Sequence, residues 1–310
     1  MFLRDPIPVD IPIEGNVSNP SCAHQESTLR PRMLRGAQGC ALLLLTACAG
    51  GVRETASVAD ATMPEPIRQD LEFTLDPGQK LRIDNPYGSV HLRFGGYEHQ
   101  LGLHSTLQQP ADAADIQFAP ASDAAGFLIA PRLPEGRVLV RGQRFDLVVY
   151  VPQQHAVQAR TIDGGIDSRG LKSDLDLRTD SGAVAVRGTE GLLRIETDSG
   201  AIEAALAASA PAGSVQRLAT RTGAIIVGVS DALAADVALA SSAPFTTDYS
   251  LVVTHRDGEE PNKTAKARIG NPDAAFPALL ELHSLRGDIR LLRRAVYVEA
   301  ETNAGAAPSG

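Results

Sequence analysis

Thr179-Asp180-Ser181-Gly182-Ala183-Val184 is followed in the chain by Thr197-Asp198-Ser199-Gly200-Ala201-Ile202, and the two stretches have nearly the same wording. The same plan stands earlier as Thr161-Ile162-Asp163-Gly164-Gly165-Ile166 and later as Thr220-Arg221-Thr222-Gly223-Ala224-Ile225. Successive glycines are separated by 18, 18 and 23 residues. Outlying copies occur at Asn85-Pro86-Tyr87-Gly88-Ser89-Val90 and Ser284-Leu285-Arg286-Gly287-Asp288-Ile289, with a worn one at Ser241-Ser242-Ala243-Pro244-Phe245. The fixed place of glycine predicts a backbone position with positive φ, which only glycine adopts cheaply.

The flanks of these corners alternate. Leu175 and Leu177, Leu193 and Ile195, Val237 and Leu239, and Leu280 and Leu282 precede the turns; Val184 and Val186, Ile225 and Val227, and Ile289 and Leu291 follow them. Period two puts these residues on one face and Asp176, Arg178, Arg194, Glu196, Glu281 and His283 on the other. Two short strands and a bend cannot bury their own apolar face, but stacked copies can. The expected fold is therefore all-β, a single-stranded β-solenoid with a less regular N-terminal β cap. A β-sandwich is the alternative, since strands and glycine turns at this spacing also suit hairpins. The solenoid is preferred because whole copies resemble one another. No segment sustains a helical period with caps. The Ala-rich stretches 204–212 and 232–238 fit best as insertions between coils, and 254–275 as a polar excursion.

The repetitive β domain spans 71–300, with 71–150 as cap and 151–300 as repeats. Strands expected in the cap include Leu71–Leu75, Lys80–Ile83, Val90–Phe94, Phe127–Ile129, Val138–Val140 and Phe145–Val151. Aromatic residues are only 4% of the chain and tryptophan is absent, so the core must be built from Val, Leu, Ile and Ala. The net charge of −8 falls on the region after residue 48, which makes nucleic acid a poor partner. Cys22, Cys40 and Cys48 all precede the repeats, so the β domain has neither a disulfide nor a thiolate metal site.

Residues 33–48 carry Arg35, an apolar run from Cys40 to Leu45, and then Thr46, Ala47 and Cys48. That order is a secretory signal, too short for a permanent membrane span. Leu45-Thr46-Ala47-Cys48 resembles the lipobox of bacterial lipoproteins, which implies cleavage before Cys48 and its lipidation, with the membrane as partner through that anchor. Residues 1–32, rich in proline, read as a mis-assigned upstream start before Met33. Ala49 after the cysteine points, by the same resemblance, to an exported protein held at the outer membrane and facing the periplasm. Residues 49–70 read as a flexible tether and 301–310 as a loose tail.

The serial Thr-Asp-Ser-Gly-Ala corners, with Ala267-Arg268-Ile269-Gly270-Asn271 and the closing copy at 284–289, resemble the bacterial adhesin family of unknown function also described as head-GIN or auto-transporter-adhesin-like. The resemblance covers about residues 71–298 and implies a β-solenoid on an exported protein. It implies no catalytic residues and no cofactor.

Asp180 and Asp198 share one register of the repeat and should stack one coil apart, about 4.8 Å. Such a carboxylate ladder suits a Ca²⁺ ion or the acid/base pair of a carbohydrate-active β-helix enzyme. Two aligned acids fall short of the six to eight oxygens that Ca²⁺ takes, and Asp and Ser in turns accept bonds from nearby amides, so the structural role is preferred. The threonine column at 161, 179, 197 and 220 predicts mutual hydroxyl bonding. His91, His99 and His104 lie close in sequence but lack a carboxylate or cysteine at ligand spacing. Lys263, Lys266 and Arg268 read as a solvated loop, with an anionic envelope component as the alternative, and Arg290, Arg293 and Arg294 as a polar strand end. The function expected is a non-enzymatic envelope lipoprotein whose stacked strands scaffold or bind an envelope protein or glycan. A carbohydrate-active enzyme and an envelope-stress regulatory lipoprotein are the alternatives.

Overall fold

In the computed structural model the described residues are 64–206, 210–230, 233–270 and 277–294. They hold strands and no helix. Cys48, the signal, residues 1–32, most of the stretch read as a tether and the tail at 301–310 lie outside them.

The chain opens with β1 (Ile67–Thr74), β2 (Leu81–Asn85) and β3 (Val90–Phe94). It continues through β4 (Gln100–Gln108), β5 (Ala121–Asp123), β6 (Gly126–Ile129) and β7 (Arg144–Val151). The repeats give β8 (Val157–Thr161), β9 (Ile166–Arg169), β10 (Leu175–Thr179) and β11 (Val184–Arg187). They go on as β12 (Leu193–Thr197), β13 (Ile202–Leu206), β14 (Val215–Thr220) and β15 (Ile225–Val229). Last come β16 (Ala235–Ser241), β17 (Phe245–Thr247), β18 (Val252–His255), β19 (Lys263–Ile269), β20 (Ala278–Ser284) and β21 (Ile289–Arg293).

Strands on the two sides of each corner belong to different sheets. Those before it lie in sheet 1, of order β18-β19-β16-β20-β14-β12-β10-β8-β2-β6-β5; those after it lie in sheet 2, of order β1-β4-β7-β3-β9-β11-β13-β15-β21-β17. Repeat copies pair in parallel and in register, Thr179 with Thr197 and Thr197 with Thr220, which hairpins cannot do. This is a two-sheet β-solenoid. Antiparallel pairs occur towards its ends, among β1, β4 and β7, between β5 and β6, and among β16, β19 and β18.

The inward rows are aliphatic ladders. Leu177, Ile195, Leu218, Leu282 and Leu239 follow one another across sheet 1, and each is at most 2% exposed. Each such side chain contributes about 2 kcal/mol by leaving water. Thin layers of this kind need no tryptophan.

Stack order is not chain order. The coil of β20 and β21 lies between that of β14 and β15 and that of β16 and β17. At the other end, β2 and β3 lie between β8 and β9 on one side and β6 and β7 on the other. The expected cap therefore contains a full coil, with Asn85 beside Thr161 and Val90 beside Ile166. The boundary at 70 also moves, because β1 begins at Ile67.

Other expectations need correcting. The corner glycines 88, 164, 182, 200, 223 and 287 do not have positive φ; a Cβ on any of them would lie 1.8–2.2 Å from a carbonyl oxygen of the adjoining coil. Close approach, not a left-handed backbone, demands glycine there. Val138–Val140 is no strand but an exposed segment. Ala204 and Ala205 belong to β13 and Ala235–Ala238 to β16, so they are coil rather than insertion. Lys263, Lys266 and Arg268 stand on β19 instead of in a loop.

Candidate functional site on the outer face of sheet 1

The corner threonines do not bond to one another. Gly182 N–H donates to Thr179 Oγ1 at 3.0 Å, and that hydroxyl lies 3.0 Å from Ile162 O and 3.2 Å from Gly164 O, both on the preceding coil. Thr197, Thr220 and Ser284 repeat the arrangement towards the glycine carbonyls of the coil before them. Each hydroxyl thus links two buried backbone groups across a coil step.

The corner amides are likewise satisfied from coil to coil. Asp180 and Ser181 N–H donate to Ile162 O, and Asp198 and Ser199 N–H donate to Asp180 O, at 2.9–3.1 Å. The expected capping by acid side chains is replaced by this backbone stacking. It frees the carboxylates to point outward. Asp180 and Asp198 stack one coil apart as the register required, and both are exposed. Asp198 pairs with Arg221 at 3.0 Å, and Asp163 accepts the Ser181 hydroxyl at 2.6 Å.

Beside this corner, the outward rows of sheet 1 form a charged ladder. Arg178 lies 3.1 Å from Asp176 and 3.6 Å from Glu196, Arg194 lies 2.8 Å from Glu196, and Arg217 lies 3.4 Å from Glu281. The ladder then thins. In the row of Arg160, Arg178 and Glu196 the next residues are Ala219, His283 and Ala240; in the row of Arg217 and Glu281 the next is Ala238. Alanine in place of long side chains leaves a hollow on each side of His283. One, about 500 Å³, is lined by Asp180, Asp198, Arg160, Arg178, Arg221 and Ala219 among others. The other, about 290 Å³, is lined by Ala238, Ala240, Arg256, Lys266 and Glu281 among others, and Arg217 and His283 border both. Burial, and then the nearby Arg217, lower the His283 pKa below the ordinary histidine value, with Glu281 opposing.

The three histidines singled out in sequence do not converge. His104 pairs with Asp70 at 2.5 Å and stacks edge-on against Tyr150; His91 lies 3.8 Å from Asp167. His99 Nδ1 lies 3.2 Å from Nε2 of the buried His155, which sequence reasoning missed and whose Nδ1 donates to Gln79 O. Among the described residues no group of three or more His, Cys, Asp or Glu could hold a metal. In the basic cluster, Arg268 makes a two-pronged pair with Asp236, Lys263 lies over the Phe245 ring, and Lys266 borders the smaller hollow. Arg290 pairs with Asp288, and Arg294 with Glu203.

The structure thus brings Asp180 and Asp198 together with Arg160, Arg217 and His283, which the sequence did not assign to a site. His283 stood on the polar phase of its strand in the sequence. What was missing was the identity of its neighbours, alanines on β14 and β16.

The chain matches no protein family description and no curated protein. Solved structures similar to it include three that are each aligned over 74% of this chain. A "putative cell adhesion protein" from Clostridium sporogenes is covered over its whole length, at 8% identity and a TM-score of 0.45. A "putative adhesin" from Bacteroides fragilis is covered over 97%, at 12% identity and a TM-score of 0.37. A "putative adhesin" from Parabacteroides distasonis is covered over 97%, at 8% identity and a TM-score of 0.28.

Proposed function

We propose that this chain is a non-enzymatic, adhesin-like protein of the cell envelope, anchored through a lipid on Cys48, that binds an envelope component on the outer face of sheet 1. One observation carries the binding role: the charged ladder of that face is interrupted around His283 by Ala219, Ala238 and Ala240, which open adjoining hollows lined by charged side chains. A rigid stack is a suitable platform, because coil-to-coil bonds fix each outward side chain with little entropy left to lose on binding. The lipid anchor rests on the lipobox of residues 45–48.

A carbohydrate-active enzyme has less support. Asp180 and Asp198 stand exposed at the rim of an open hollow, and Asp198 is already engaged by Arg221. Nothing among the described residues encloses them from water as acid/base chemistry favours.

The test has two arms. Fatty-acid labelling in the bacterial host should be lost in Cys48→Ala, and the unlabelled chain should leave the membrane fraction. Purified full chain should bind an envelope preparation, and Ala219→Gln with Ala240→Gln, which fills the hollows from the outside of the sheet, should abolish that binding. Retention of binding by the filled variant would remove sheet 1 from the function.

A further inference from the structure

The ligand class can be taken further, on the basis of the binding face just proposed. We infer that the two hollows form one groove for an acidic polysaccharide lying along the stack axis, with its carboxylates at Arg160 and Lys266 and its sugar rings over the alanines beside His283.

Charge is the first argument. The hollows are bordered by six basic side chains, Arg160, Arg178, Arg217, Arg221, Arg256 and Lys266, and by four acids, Asp180, Glu196, Asp198 and Glu281. On a chain of net charge −8 this is a local reversal of sign. Arg178, Arg217, Arg221 and Arg256 are each within ion-pair distance of an acid. Arg160 and Lys266 have no carboxylate within ion-pair distance among the described residues, though the charge of Lys266 reaches Asp236, which Arg268 already engages, and they stand at opposite ends of the groove. Cations with no carboxylate in direct contact fit an anionic partner.

Shape is the second. From β8, which carries Arg160, to β19, which carries Lys266, the sheet passes through β10, β12, β14, β20 and β16. Six strand spacings make about 29 Å. That length suits a polymer better than a small molecule. From the middle of that path to its β19 end the floor is Ala219, Ala240 and Ala238, small side chains on which the apolar face of a sugar ring can lie.

The interleaved acids decide between anionic polymers. A nucleic acid or an acidic peptide would bring phosphates or carboxylates up against Asp180, Glu196, Asp198 and Glu281 with few donors to offer them. An acidic polysaccharide has one carboxylate per charged sugar and several hydroxyls. The carboxylates meet the guanidinium and ammonium groups, and the hydroxyls donate to the groove's acids. His283, held in its neutral form at neutral pH, can donate to or accept from a hydroxyl.

Titration calorimetry of the full chain with three polymers tests this: polygalacturonate, neutral dextran and polyglutamate. Polygalacturonate should bind, dextran should not, and polyglutamate should bind at least about tenfold more weakly. Arg160→Ala with Lys266→Ala, both on the solvent face, should weaken polygalacturonate at least about tenfold, and Ala219→Gln with Ala240→Gln should abolish it. Circular dichroism confirms that each variant keeps its strands. Equal binding of dextran or polyglutamate, indifference to either pair of substitutions, or no binding of polygalacturonate would each overturn the ligand class. If polygalacturonate fails while the envelope preparation still binds and is still lost in the filled variant, the binding face stands and only its ligand is wrong.

Discussion

At the scale of single residues, glycine and hydroxyl side chains carry the corner, and they do so for different reasons. A Cβ on Gly182 would lie 2.0 Å from Gly164 O, a backbone atom with no freedom to retreat between stacked coils. Gly182→Ala should therefore cost about 3 kcal/mol or more in chemical denaturation. Gly213 has φ of +73° but nothing within 4 Å of its missing Cβ, so Gly213→Ala should cost only about 1 kcal/mol, the price of the backbone conformation. A reversed ranking would mean that conformation and not clash governs the corner. Two buried hydroxyls give a second contrast. Thr179 joins the Gly182 amide to carbonyls of the preceding coil, so Thr179→Val should cost about 1–3 kcal/mol by stranding those groups. Ser168 is fully buried between Leu92 and Val186 in an inward row, and its Oγ has no partner among the described residues. Ser168→Ala should be neutral or gain about 1 kcal/mol.

At the scale of elements, the coil of β20 and β21 acts as a wedge. The strands it separates match in phase: Leu218 with Leu239 inward, Ala219 with Ala240 outward, and Thr220 with Ser241 at the corner. Without the wedge, β16 can close directly on β14. Cysteines introduced at Ala219 and Ala240, with Cys22, Cys40 and Cys48 replaced by serine, read this out. In the intact chain His283 stands between them, and two strand spacings, about 9.6 Å, forbid a disulfide. In a chain ending at Gly270 the disulfide should form under mild oxidation; its absence there would show that the outer coil cannot seat without the wedge. The same topology marks where sequence stops being informative. Alternation and the corner motif reveal strands, faces and stacking, because each is written within a single copy. Which copy lies beside which is not, since copies that look alike are equally good neighbours. The worn corner at Ser241 is understandable only once placed. It is one residue shorter than that from Ser284 to Ile289, with Phe245 opposite Ile289; Pro244 O accepts the Ile289 N–H, the place that Asp288 and Ala224 fill in the inner corners, while Ala243 N–H donates to Ser241 Oγ as Gly287 N–H does to Ser284 Oγ. His283 was hidden likewise, its alanine neighbours coming from segments far back in the chain.

At the scale of the whole molecule, the charges set how stability follows pH. His283 binds its proton less tightly when folded, through burial and then Arg217 on β14, with Glu281 on its own strand opposing and Arg256 and Lys266 bordering the same hollow. Between the lowered value and the ordinary histidine range the unfolded chain holds more protons, so stability rises with pH there and is lost as pH falls through that window. Carboxylates add a second loss. Burial alone would raise the Asp167 pKa, but hydrogen bonds and charge from Arg93 and Arg169 hold it below the ordinary value; Asp236 is held low by its bond to Arg268. Such groups stabilise the fold above the ordinary carboxylate range, and that contribution disappears as pH falls through their lowered values. Both losses have the same sign, so the melting temperature should be level near neutral pH and decline in two stages on acidification. His283→Gln should flatten the first stage, and Asp167→Asn should make the second shallower while lowering stability at neutral pH. Raised salt should weaken the part due to exposed pairs such as Asp236 with Arg268 and leave the His283 stage, whose leading cause is burial, in place. A first stage that survives His283→Gln would assign it to some other group and leave the hollow around His283 without an electrostatic signature.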